Sequence, residues 1–151
     1  MVRTADTGTS EADAVFVRRV IAVARERVFD AWLDPASLAR WMTPCPGWTA
    51  TARVDPRVGG SFCITMIDRD RATEHSGEYL LIERPSRLSF TWISVHTDDR
   101  PTVVTVEFHS HGEGTELVLT HRKLPPAQAN AHREGWTEIV RQFTATLTGV
   151  A

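Results

Sequence analysis

"HREGWTEIVRQF", residues 132–143, decides the reading of this chain. From it onward, the larger apolar groups fall at Trp136, Ile139, Val140, Phe143, Leu147 and Val150. Steps of three and four place them on one helical stripe, and His132 extends that stripe upward. The spacing predicts a helix from about Pro126 to Leu147, the longest in the chain. A helix this long needs a broad apolar partner. Burying such side chains stabilises by about 1.5–3 kcal/mol each, on the order of 10 kcal/mol gross for the stripe. Gly135 sits inside the same helix, where glycine costs roughly 1 kcal/mol relative to alanine. Two readings stay open. Gly135 allows close packing of helix on sheet, or it keeps open the mouth of a cavity walled by Trp136.

The partner is written in the middle of the chain. "WTATARV" (48–54), "SFCITMI" (61–67), "HSGEYLLIE" (75–83), "RLSFTWI" (87–93), "TVVTVEF" (102–108) and "ELVLTHRKL" (116–124) read as strands, after a first strand in "AVFVRRVIAVA" (14–24). One face gathers Phe62, Ile64 and Met66; Tyr79 with Leu81, and Leu80 with Ile82 on the reverse; Leu88, Phe90 and Trp92; Val104, Val106 and Phe108; and Leu117, Leu119 and His121. Hairpin-length links such as "HGEGT" (111–115) argue for an antiparallel meander. Between the first two strands, "RERVFDAWLD" (25–34) shifts to helical spacing, with Val28, Phe29 and Trp32 together. Pro35 then suits the first turn of a second short helix, which carries Leu38 and Trp41. An amphipathic helix and a half-buried sheet cover each other's apolar faces, so the fold class is α+β.

The totals bound the rest. The chain has 151 residues, which can bury a core without disulfides or metal. Seventeen basic and 19 acidic residues give a formal charge of -2. No dense basic patch points to nucleic acid or an anionic membrane. Cys45 and Cys63 read as reduced thiols. Residues 1–13 are polar, without the apolar core of a signal peptide, and read as a disordered tail before a domain over 14–151. No run approaches a membrane span. A cytoplasmic location is the expectation.

Chemistry-bearing residues are few. His109 and His111 alternate onto the strand face opposite Val104, Val106 and Phe108, so they are expected to meet solvent. No Cys-x-x-Cys or His-Glu-x-x-His spacing is present, and no metal or cofactor is expected. "VGG" and "GEG" lack the strand–glycine–helix context of a dinucleotide site. His121 lies on the inward face of the last strand and His132 on the helix stripe. If helix and strand cross, both rings can meet one pocket, where imidazole can orient or protonate a ligand.

Four stretches together resemble a known family: "VFDAWLDPASLARW" (28–41), "DPRVGGSF" (55–62), "GEYLLIERPSRLSFTW" (77–92), and "THRKLP" (120–125) followed by "HREGW" (132–136). The likeness covers nearly everything from Val15 to Thr148. It is to the family named for activators of the Hsp90 ATPase, within the START-like, Bet v 1-like superfamily. The resemblance implies a helix-grip fold: a curved antiparallel sheet of six or seven strands around the long C-terminal helix, with two short helices closing one end. It implies a hydrophobic cavity between sheet and helix, with Gly135-Trp136 facing it, and Gly59 and Gly60 turning the chain before Phe62. The chain departs from the family at Ala24, where proline is common, at Met42, where a second tryptophan is common, and at Lys123, where glycine is common. A chaperone activator of this family would carry a further N-terminal domain. Thirteen polar residues do not supply one, so direct Hsp90 activation is not expected.

The expected function is therefore binding of a small hydrophobic or aromatic molecule. The walls would be Phe62, Tyr79, Trp92, Phe108, Trp136, Val140 and Phe143, with His121 and His132 as polar contacts and no catalytic residue assigned. The alternatives are an enzyme that uses His121 or His132 in the same cavity, and a stress- or chaperone-related interaction module. Homodimerisation is an expectation from the family alone.

Overall fold

The computed structural model describes residues 14–149. The expected tail over 1–13, and Val150 on the helix stripe, lie outside the described residues. Seven strands form one antiparallel sheet. They are β1 (Val15–Ile21), β2 (Thr49–Val54), β3 (Ser61–Asp68), β4 (Arg71–Glu83), β5 (Arg87–Trp92), β6 (Thr102–His111) and β7 (Gly114–Arg122). Their spatial order is β1-β7-β6-β5-β4-β3-β2. From β2 to β7 each strand pairs with the next, as hairpin-length links require, and β1 closes on β7 with Val15 opposite His121. The sheet curls into a half-barrel around helix α3 (Ala129–Thr148). Two short helices, α1 (Arg25–Ala31) and α2 (Pro35–Trp41), follow β1. Asp34 caps α2 by accepting the Ala36 amide at 3.3 Å, and Pro35 occupies its first turn.

Alternation produces the core. Phe62, Ile64 and Met66 of β3, Leu88, Phe90 and Trp92 of β5, and Val104, Val106 and Phe108 of β6 are all buried. Trp136, Ile139, Val140 and Phe143 of α3 are buried against them, and Leu147 packs at the edge. The interior is largely aromatic. Phe143 meets Trp41 at a centroid distance of 4.5 Å and Trp32 at 5.6 Å, and Phe29 meets Phe108 at 5.2 Å. Edge-to-face and tilted contacts of this kind suit the ring quadrupoles.

Three details differ from the sequence reading. Residues 68–73, a polar connection between two expected strands, are mostly strand, because β3 and β4 run on to a turn at Arg69-Asp70. The helix expected from Pro126 opens with a single 3₁₀ turn over Pro126–Gln128 before α3 begins. In β4 the register shifts between Tyr79 and Leu81, so Tyr79 faces Phe90 while Ile82 faces Leu88. This bulge reverses the alternation. Ile82, not Leu81, joins the inward side with Tyr79, and Leu80 is left 44% exposed. A bulge adds one residue to a strand, which a period-two pattern does not register.

The turn before β3 shows why glycine stands there twice. Gly59 has φ +85°, and a Cβ on Gly60 would collide with the Asp55 carbonyl oxygen. The turn is held to the start of the bulge: the Gly59 amide donates to the Tyr79 carbonyl and the Tyr79 amide to the Gly60 carbonyl, each at 2.9 Å. Lys123 is informative for the opposite reason. It adopts φ +71°, in the left-handed region that favours glycine.

Candidate functional site

The half-barrel is filled unevenly. Its middle is closed: the void among Trp32, Leu38, Met42, Phe62, Ile64, Tyr79, Phe90 and Trp92 measures only about 10 Å³. At the N-terminal end of α3 the packing opens into a cavity of about 190 Å³. The helix contributes Ala131, His132, Gly135, Trp136 and Ile139, with Gln128 just before it. The sheet contributes Met66, His75 and Trp92, and the connections add Pro44 and His96. Apolar walls with a few convergent polar groups are the usual make-up of a small-molecule site. None of these lining residues is a lysine, arginine, aspartate or glutamate.

Gly135 lines this cavity, and its partner is slight. A Cβ built on it would meet only Pro44 Cβ, at 3.6 Å, an ordinary van der Waals distance. Close helix–sheet packing therefore does not account for the glycine. The loop bearing Pro44 is fixed to the helix about two turns further on. Thr43 Oγ1 donates to Gln142 Oε1, and Gln142 Nε2 donates to the Thr43 carbonyl, both at 3.1 Å.

Behind the tryptophans runs a chain of hydrogen bonds with one direction. Trp136 Nε1 lies 3.0 Å from His121 Nδ1. An indole N–H only donates, so Nδ1 is the acceptor and the proton of the neutral ring sits on Nε2. Nε2 lies 2.7 Å from Thr102 Oγ1, whose own hydroxyl donates to the Trp92 carbonyl at 2.6 Å. Every member has its proton assigned, and the chain ties Trp136 to the backbone of Trp92. Protonating His121 would set two donors against each other. Burial, helped by the neighbouring His132, already pushes the imidazole down to about 3.

His132 is oriented differently. Its Nδ1 lies 2.9 Å from the Gln128 carbonyl, which only accepts, so Nδ1 carries the proton and Nε2 of the neutral ring is a bare acceptor. Among the described residues nothing bonds to that Nε2. Burial lowers its proton affinity, the Gln128 bond opposes this, and His96 lowers it again. His75 is 6% exposed and stacks at a tilt on Trp92, with centroids 5.0 Å apart. Its Nδ1 is buried without a hydrogen-bond partner. Burial chiefly pushes this ring down to about 4, helped by His96 and His132 and opposed by the nearby carbonyls of Thr73 and Ile64. Near neutral pH His75 and His121 are therefore uncharged, and burial biases His132 the same way. Among the described residues no cluster of three or more His, Cys, Asp or Glu is arranged to hold a metal ion.

The nine residues singled out from the sequence lie in four places. Trp92, His132 and Trp136 line the cavity. His121 stands one layer behind, with its ring 5.2 Å from that of His132. Phe62 and Tyr79 border the small central void. Phe108 packs on Phe29, while Val140 and Phe143 are buried further along α3. His75, His96, Met66 and Pro44 were not singled out. For His75 a signal existed: it stands four residues before Tyr79, on the same face of an alternating strand. His96 had none, because the 3₁₀ turn Val95–Thr97 that delivers it leaves no periodicity. A broader depression of about 870 Å³ lies on the outer sheet face near Arg53, Cys63, Glu78 and Thr91, where it lacks such convergent rings. His109 is on the surface, bonded to Glu107 at 3.1 Å, and His111 is exposed.

Comparison with known proteins agrees with this architecture. The family described as activator of Hsp90 ATPase homolog 1-like protein matches residues 22–148. Among solved structures, the AHSA1-like protein from Aeromonas hydrophila is 29% identical, with a TM-score of 0.72 over 91% of this chain and 95% of that one. The AHSA1 protein from Silicibacter pomeroyi is 28% identical, with a TM-score of 0.77 over 91% of this chain and 99% of that one. A protein from Chromobacterium violaceum is 25% identical, with a TM-score of 0.78 over 88% and 96%. No curated protein matches the chain. With the helix-grip architecture, the curled sheet and a family match that spans all but the first strand, the chain belongs to the activator of Hsp90 ATPase homolog 1-like family of the START-like, Bet v 1-like superfamily.

Proposed function

We propose that this protein binds a small hydrophobic or aromatic molecule in the cavity at the N-terminal end of α3. One observation carries the reading: about 190 Å³ is left open between Trp92, Trp136, Met66 and Ile139 in a domain whose centre is otherwise packed. Apolar cavities of about 150 Å³ are known to hold benzene, so the space suits a single ring. Gly135 supports the same reading, because the residue that weakens the helix borders open space rather than a crowded contact. Proton transfer by His121 has no place in it, since both ring nitrogens are engaged. Among the described residues no helix is long and apolar enough to cross a membrane. Two free cysteines support action in a reducing compartment such as the cytoplasm.

The test is native mass spectrometry of the full chain purified from its own host, with a denatured control. An added mass under about 300 Da, lost on denaturation, is the expected result for a guest filling such a pocket. The reading is overturned if no mass is retained and a panel of benzene-sized compounds leaves the Trp92 and Trp136 indole signals unmoved in NMR titrations.

A further inference from the structure

The cavity offers more than apolar walls. Its polar lining is His75, His96, His132 and Gln128, with no charged side-chain type among them. Gln128 uses its backbone carbonyl to hold the proton of His132 on Nδ1. That leaves the Nε2 lone pair of His132 without a partner among the described residues. His75 supplies a second ring, stacked on Trp92, with a buried nitrogen that also bonds to nothing. A polar atom buried without a partner, as His75 Nδ1 is here, costs about 1–3 kcal/mol. The two rings border the same open space from opposite elements, α3 and β4.

We infer that the preferred guest is an uncharged single-ring aromatic carrying a hydrogen-bond donor, a phenol-type hydroxyl or ring N–H, which His132 Nε2 accepts while the ring lies against the wall made by Trp92, Trp136 and His75. The inference rests on the binding reading above and narrows it. A wholly apolar cavity ranks toluene above phenol, because phenol must shed a hydrated hydroxyl on entry. A fixed acceptor reverses that order. A carboxylate is disfavoured in either case, since no cationic side chain lines the space and a desolvated anion without a partner is costly.

The experiment titrates the full chain with toluene, phenol and benzoate at pH 7.5, reading tryptophan fluorescence and calorimetric heat. Phenol is expected to bind roughly tenfold more tightly than toluene, the factor one good hydrogen bond supplies. Benzoate is expected to bind more weakly than both. In His132→Phe the order reverses to toluene over phenol. In His132→Gln, whose side-chain oxygen restores an acceptor, part of the preference for phenol returns. Thermal melts establish that both variants fold, and His132→Leu gives a second removal of the acceptor should His132→Phe unfold. Toluene at or above phenol in the unaltered protein refutes the donor preference while leaving the cavity reading intact. A phenol preference that survives in the folded His132→Phe or His132→Leu protein refutes the assignment of the acceptor. Binding of none of the three overturns both readings.

Discussion

Replacing Gly135 with alanine separates two explanations of a weak point in α3. A helical alanine is favoured over glycine by about 1 kcal/mol. The new methyl would touch only Pro44 Cβ, at 3.6 Å, and the backbone there is not in the left-handed region. Nothing in the structure therefore subtracts from the propensity gain. Gly135→Ala is expected to stabilise the protein by about 1 kcal/mol. For a domain of this length that raises Tm by about 2–4 °C. Urea unfolding followed by tryptophan fluorescence should move to a higher midpoint with an unchanged slope, the mark of altered stability at constant buried surface. The same methyl stands on the cavity lining, so affinity for a small aromatic guest should fall. Stability and binding then move in opposite directions. A Gly135→Ala protein destabilised by about 1 kcal/mol or more would show that the contact with the Pro44 loop is tighter than drawn, returning the glycine to a packing role. Gained stability with unchanged affinity would show that the guest sits elsewhere.

Three further outcomes are expected. Lys123→Gly should stabilise by about 1 kcal/mol in chemical denaturation, because Lys123 holds φ +71°, a conformation costly for residues with a Cβ; a loss of stability would show that its stem makes packing contacts that outweigh the strain. His121→Leu leaves the buried Trp136 indole N–H without its acceptor, at a cost of about 1–3 kcal/mol; that cost should shrink in a Trp136→Phe background, and a double-mutant cycle with no coupling contradicts the hydrogen-bonded chain. Acid should unfold the protein earlier than its carboxylates alone predict. His75 and His121 are held near 4 and 3 when folded, against an ordinary value of 6.5, so the unfolded chain binds the extra protons. Stability is full above pH 6.5 and falls as pH drops from 6.5 toward 4 for His75 and toward 3 for His121, by up to about 1.4 kcal/mol per pH unit for each ring. Urea midpoints at pH 7 and 5 measure this, and His121→Gln should flatten the slope; a flat profile above pH 5 would mean that neither ring is kept neutral by the fold.

The architecture was legible because two periodicities carry it. The steps of three and four from Trp136 to Leu147 gave α3, and alternation from Phe62 to Phe108 gave the inward face of the sheet. The Tyr79–Leu81 bulge leaves no mark in the sequence, because one added residue inverts the alternation of inward and outward side chains. The cavity was harder to read than the fold. Inward orientation marks Phe62, Phe108 and Phe143 as strongly as Trp92, and only three-dimensional filling distinguishes a wall from a core. The first three stop against Tyr79, Phe29 and Trp41, whereas Trp92 stops against Trp136 and His75 at the rim of open space. Sequence spacing also had no means of assigning a proton. That Gln128 lends its carbonyl to His132 depends on how α3 begins, one turn after a pair of prolines.

The line from Trp136 through His121 and Thr102 to the Trp92 carbonyl has a consequence for affinity. Side chains that must be immobilised when a partner arrives take about 0.5–1.5 kcal/mol each from the net association. Here the Trp136 indole is anchored from behind, by groups no guest touches, so its rotamer entropy is surrendered once, during folding. An incoming molecule meets a preorganised cleft, and even a small one can keep most of the attraction its surface generates.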